Sequence, residues 1–321
     1  MNSLTRASAL RAGAAFWAAG TLPRPLAAQA LTTIRIGAAM DDSTTPILFA
    51  DHAGYFRRNG IAVEITKVDS GAAVAAAVAG GSLDVGKASI YAIIAAHARG
   101  FPFQLIAPTG SYSAANPDEA LLVSAASPIH SAADLDGKIL GVASLQDLNM
   151  VATEAWVDKN GGHSSTLHFI ELAPPSVMAA LFAGRIAAAP VQEPMASTIM
   201  ASGKARNIGS FFDGVASRYQ TAGVFATADW VARNHDVAAR FARAMRDANA
   251  YLGKHEDEGV PLIGAFIGIT EGEKVNHPGR PLYLIPAEIQ PMIDVAATYK
   301  VIAQGFAAQE LISPAALKPP R

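Results

Sequence analysis
An alternation along the chain constrains its fold more than any other feature. From about residue 31 onward, short apolar segments of strand composition alternate with segments of helical periodicity, and glycine or proline separates most of them. Ile34 to Gly37, Ile61 to Val68, Leu83 to Gly86 and Phe103 to Ala107 read as strands. Between them, Pro46 to Arg58, Gly71 to Ala79 and Ile90 to Arg99 read as helices, the first with Thr44 or Thr45 as cap and Gly60 as stop. This pattern specifies helices layered on sheets. With 321 residues the chain can bury two cores. No segment recurs at a fixed period, which excludes a solenoid.

A second run of the same kind follows Leu121-Leu122-Val123 and Ser127-Pro128, where we expect the chain to cross into a second lobe. Ile139 to Val142, Leu167 to Ile170 and Ala187 to Val191 are its strands, and Met150 to Asn160, Ser176 to Ala183 and Pro194 to Ala201 its helices. Gly223 to Ala226 reads as the return crossing, followed by long helices over about 236–253 and 287–304. The expected organisation is a leader over 1–30, a first lobe from 31–124 and 225–321, and a second lobe over 125–224.

The first thirty residues read as an export signal. Arg6 and Arg11 precede the apolar stretch Ala12 to Ala19, Pro23 and Pro25 break it, and Ala28-Gln29-Ala30 supplies a small-residue cleavage motif. Cleavage after Ala30 by the general secretory route, and a periplasmic location, are the expectation. It removes Arg6, Arg11 and Arg24 and lowers the net charge from −2 to −5. No apolar run is long enough to span a bilayer. No basic cluster suits nucleic acid. The chain has no cysteine, which excludes disulfides, thiolate metal sites, cysteine nucleophiles and a lipid-modified cysteine.

Several segments resemble, in one order, a known family. They are Ala53-Gly54-Tyr55-Phe56 with Asn59-Gly60-Ile61, Ser70-Gly71 with Gly80 to Gly86, and Ser127-Pro128-Ile129 with Asp134 to Val142. Leu181 to Ile186 with Glu193-Pro194, and Ala226 to Trp230 with Asn234 to Val237, complete the set. Over about residues 31–250 the chain resembles the nitrate, sulfonate, taurine and thiamine-pyrimidine substrate-binding superfamily of ABC importers. The resemblance implies a type II periplasmic-binding fold, α/β with two lobes and a ligand cleft between them. It also implies delivery of a small molecule to an inner-membrane permease by a monomeric receptor without cofactor or metal. Ala187-Ala188 and Gln192 depart from the family pattern, so ligand identity does not transfer.

Ligands in open α/β sheets sit beyond the carboxyl ends of strands. The candidates there are Met40, Asp42, Ser43 and Thr44 after the first strand, Ser70 and Gly71 at the second helix, and Lys87, Ala88 and Ser89 after the Asp84 strand. Ser111 and Tyr112 follow the Phe103 strand as loop residues. Ser144, Gln146 and Asp147 follow the Gly141 strand, Gln192 and Glu193 stand before Pro194, and Arg218 and Tyr219 precede the return strand. Helix starts there would attract an anion through their unpaired N–H groups, although capping alone also accounts for the hydroxyl residues. Lys87, in an otherwise small and apolar strand, needs an anionic partner, either a protein carboxylate or a sulfonate or carboxylate on the solute. A small organic anion is therefore the expected ligand and a neutral pyrimidine-like heteroaromatic the alternative. A cofactor-independent enzyme on the same fold is the rival class. No G-x-S-x-G, Walker loop or H-E-x-x-H occurs, the eight histidines are scattered, and the cysteines of the related thiamine-pyrimidine synthase are missing.

Overall fold
The computed structural model describes residues 30–268 and 276–320. The leader and its cleavage site up to residue 29 lie outside these residues. Ten strands form two five-stranded sheets among the described residues. The first sheet holds β1 (Thr32–Ala39), β2 (Ile61–Val68), β3 (Val85–Ser89), β4 (Phe103–Ser113) and β10 (Arg218–Thr227), in the order β2-β1-β3-β10-β4. The second holds β5 (Glu119–Ser124), β6 (Ile139–Val142), β7 (His168–Glu171), β8 (Ala188–Gln192) and β9 (Ala205–Asn207), in the order β7-β6-β8-β5-β9. In each sheet four strands run one way and one runs against its neighbours on both sides: β10 between β3 and β4, β5 between β8 and β9. In each case the reversed strand enters directly from the other sheet, so the chain crosses twice, over residues 114–118 and 208–217.

The helices are α1 (Thr45–His52), α2 (Tyr55–Arg58), α3 (Gly71–Ala79), α4 (Ile90–Ala98), α5 (Leu148–Lys159), α6 (Pro174–Phe182), α7 (Met195–Ala201), α8 (Ala228–Arg233), α9 (His235–Leu252), α10 (Val260–Ile267) and α11 (Pro286–Thr298). β2 and α3 lie where the sequence places them. The single helix expected over Pro46 to Arg58 is broken, because Gly54 takes a left-handed conformation (φ 74°) that ends α1 and reopens the chain as α2. α9 shows why these segments are helical. Ala238, Phe241, Ala242, Met245, Ala248 and Leu252 recur at helical spacing and face the core, where Phe241 stacks on Phe56 at 4.9 Å.

Three limits differ from the sequence reading. Leu121 to Val123 pairs with Pro190 to Ala188 and so belongs to the second sheet, which moves the first crossing upstream of Glu119. β10 begins at Arg218 and lies wholly in the first sheet, which places Arg218 and Tyr219 inside a strand. β4 runs on to Ser113 because β10 pairs with it along its whole length, so Ser111 and Tyr112 are strand residues and not loop residues. Close approach fixes the second lobe. A side chain at Gly214 would meet the backbone of α5 at 2.3 Å (Trp156 N) and 2.6 Å (Ala152 O), and one at Gly209 would meet the Trp156 ring at 2.2 Å. Only glycine lets the segment before β10 lie directly on α5.

Candidate functional site
The carboxyl ends of β1 and β3 carry a group of buried charges. β3 extends to Ser89, because Gly86 and Lys87 pair with Gly37 and Ala38 of β1, so Lys87 lies inside the strand. Its side chain is 0% exposed and its ammonium contacts Asp41, whose side chain is 38% exposed. Burial pushes the Lys87 ammonium down from the usual lysine range, and Asp41 opposes that shift. The cation therefore has a protein partner. Asp41 also accepts from the Ser43 N–H at 3.0 Å.

Asp42 points the other way, into the lobe. Its carboxylate accepts from Thr45 Oγ1 at 2.6 Å and lies 2.6 Å from His277 Nδ1 and 3.4 Å from Arg280 Nη2. Arg280 also donates from Nε to Glu256 at 3.1 Å. Burial alone would raise the Asp42 carboxyl, but Arg280 and His277 outweigh it and hold it at about 2. For His277, burial works against the charge, yet Asp42 wins and the ring is raised. This cluster ties residues 277–280 over the end of β4, where Gly279 bridges Ser111. Asp42 is thus a brace, and Thr44, whose Oγ1 donates to Ala39 O at 2.6 Å, is another.

Three helix starts carry candidate residues. Ser70 and Ser89 cap α3 and α4, accepting from Ala73 N and Ala92 N, each at 3.2 Å. A Cβ on Gly71 would sit 3.0 Å from that of Ala92, so these two helix ends touch. Asp147 caps α5 in the other lobe, accepting from Met150 N at 2.8 Å. Burial raises the Asp147 carboxyl to about 6. Tyr91, in the first turn of α4, joins the two lobes. Burial raises its phenol, the charges of Asp147 and Glu154 on α5 add to this, and its hydroxyl has no partner among the described residues. Tyr91, Leu148 and Val151 belong to one apolar cluster. The N-terminal ends of α3 and α4 therefore touch, and Asp147, the cap of α5 in the other lobe, is near enough for its charge to act on Tyr91. Each cap takes an N–H of the third helical position and Asp147 also takes that of Asn149, which leaves the first two amides of α3 and α4 and the first of α5 without an intrahelical or capping acceptor.

The remaining candidates divide. Glu193 accepts from Ser197 N at 3.0 Å and Ser197 Oγ at 2.8 Å and so braces the start of α7. Arg218 pairs with Glu288 of α11 at 2.9 Å. Tyr112 is buried and its hydroxyl lies 3.0 Å from both Ser210 and Asp213, a link from the first sheet to the second crossing. Tyr219 is buried beside it, and its hydroxyl has no partner among the described residues. Met40 and Gln146 are exposed, Ala88 is buried, and Gln192 and Ser144 are half-buried. The sequence reading missed Tyr91, Asp118, His277 and Arg280. Tyr91 sits in a run that reads as core, and the last two lie more than 230 residues from Asp42 along the chain. Asp118 and Glu119 carry a usable signal, two acids opening an otherwise apolar strand. No group of acidic or histidine side chains suited to a metal ion occurs among the described residues.

A family model described as NMT1/THI5 like matches residues 42–259. The chain belongs to this family. No sequence among curated proteins matches it. Solved structures similar to this NMT1/THI5-like chain include the periplasmic aliphatic sulphonate binding protein SsuA of Escherichia coli. It is 17% identical with a TM-score of 0.70, and the match covers 88% of this chain and 97% of that one. The alkanesulfonate-binding protein SsuA of Xanthomonas axonopodis pv. citri, bound to MOPS, is 16% identical (TM-score 0.70; 89% and 98% covered). The periplasmic nitrate-binding protein NrtA of Synechocystis PCC 6803 is 13% identical (TM-score 0.68; 85% and 82% covered). These likenesses establish the two-lobed periplasmic-binding fold. No helix among the described residues is long and apolar enough to cross a membrane.

Proposed function
We propose that this NMT1/THI5-like protein is a periplasmic receptor of an ABC importer that captures a small organic anion, a sulfonate or carboxylate, and hands it to a permease. The contact of the α3 and α4 N-termini, with Asp147 at the start of α5 acting on Tyr91 from the other lobe, carries this reading. Each helix start favours an anion by about 0.3–1 kcal/mol when exposed and up to about 2 kcal/mol when sheltered. Closing the lobes on a solute would shelter all three. Family membership and the ligands of SsuA and NrtA support the same class. On this reading the leader is removed after Ala30, the protein is a monomer, and it catalyses nothing. The lobes follow the sheets, with 31–113 and 218–320 in one and 119–207 in the other.

The contact of Lys87 with Asp41 favours a second reading. With that cation paired, the Lys87 ammonium is not free for a solute anion, and a neutral heteroaromatic solute becomes the second reading. A thermal-shift screen of residues 31–321 against alkanesulfonates, carboxylates, nitrate and pyrimidines separates the two. A ligand at 100 times its Kd adds about 2.7 kcal/mol, a rise of roughly 4–5 °C for a chain of this size. Shifts confined to the anions support the first reading and shifts confined to pyrimidines the second. No shift with any class contradicts both.

A further inference from the structure
Among the described residues, Asp118 is the one acidic side chain with a buried carboxylate oxygen, Oδ1, that has no hydrogen-bond partner. It is 3% exposed. It stands between the two lobes, at the end of the first crossing. Its carbonyl accepts from Glu193 N at 3.0 Å, at the carboxyl end of β8. The charges acting on its carboxylate are those of Asp42 and Arg280 from the first lobe and Glu193 from the second. Arg280, the cation among them, is committed to Asp42 and Glu256. The neighbouring Glu119 is satisfied, accepting from Ser210 Oγ at 2.6 Å and Phe211 N at 3.1 Å. Asp118 therefore differs from every other acid in this region. Among the described residues no other residue donates to its side chain, which has only its own backbone N–H as a partner, and burial with two like charges nearby pushes it up to about 7. A buried polar group left unpaired in this way is costly unless something outside the chain completes it.

We propose that Asp118 holds an N–H group of the solute, an ammonium or a ring amino group, so that the receptor takes an amino-bearing solute in preference to one that carries a methyl group in its place. The proposal rests on the receptor reading and narrows it. A site built to pair a polar group rejects the analogue that lacks it, because the buried partner is then left bare.

The test uses three isosteric pairs in calorimetric titrations of residues 31–321. They are 3-aminopropane-1-sulfonate with butane-1-sulfonate, 4-aminobutanoate with pentanoate, and 4-aminopyrimidine with 4-methylpyrimidine. The amino member of at least one pair should bind at least tenfold more tightly. Asp118→Asn should erase that preference and yet raise the melting temperature of the unliganded protein, since it exchanges an unpaired carboxylate for a neutral isostere. A structural aspartate would do the opposite, so an Asp118→Asn chain that is destabilised or unfolded overturns the proposal. Equal or tighter binding of the methyl members overturns it while leaving the receptor reading intact, and this needs no variant. Binding by none of the six also overturns it; the broader thermal-shift screen then decides the receptor reading separately.

Discussion

Replacing Asp42 with alanine is expected to cost about 3–5 kcal/mol of folding stability, the usual penalty for removing one partner of a buried ion pair. The Asp42 side chain is 6% exposed and that of Arg280 is 1% exposed. Truncation strips Thr45 Oγ1 and His277 Nδ1 of an acceptor and leaves Arg280 with Glu256 alone. Urea unfolding should show a lower midpoint with an unchanged slope. The same brace sets an acid limit. The folded-state pKa of Asp42, about 2, is depressed from its ordinary value of 3.8. Its contribution is therefore complete above about pH 4 and is lost as pH falls through about 2. The Asp42→Ala variant should lack that part of the acid transition. Equal stability of the two chains at neutral pH would contradict the brace.

Asp41→Ala is expected to be the second most damaging change, at about 3 kcal/mol, because it leaves the wholly buried Lys87 ammonium without its partner. Lys87→Met should cost less than about 1 kcal/mol. The apolar stem keeps its packing, and Asp41, partly exposed, is rehydrated. The double variant should therefore be more stable than Asp41→Ala alone, with a coupling energy of about 2–3 kcal/mol from a denaturation double-mutant cycle. Additive losses would show that the two side chains act independently. The cycle also bears on the solute, since it measures how much of the Lys87 charge is already committed inside the protein.

The alternation of strand and helix segments was enough to read the fold class, and β2, β6 and α3 fall on their expected residues. Those elements are bounded by local chemistry: Gly60 before β2, the Ser70 cap of α3, Gly137 before β6. Elements bounded by long-range pairing have limits that local sequence does not mark. β4 extends to Ser113 because β10, over a hundred residues later, pairs with it, and β5 joins the second sheet because β8 and β9 flank it. The site divides in the same way. Ser70, Ser89 and Asp147 are legible as caps, since a small polar residue before a helix announces itself. Lys87 was legible as a cation in need of a partner, but its partner was not. Asp41 lies 46 positions away, and only the parallel pairing of β1 with β3 brings the two together. Tyr91 and Arg280 leave no local mark at all.

The central claim, that a solute is held between helix starts of the two lobes, is tested most directly by amide hydrogen exchange with and without the solute identified in the screen. The first two amides of α3 and α4, at residues 71–72 and 90–91, and the first of α5, at residue 148, have no intrahelical acceptor and no capping side chain. Solute should slow exchange at all three helix starts together, in both lobes. Protection confined to one lobe, or found elsewhere with these amides unchanged, would contradict the account.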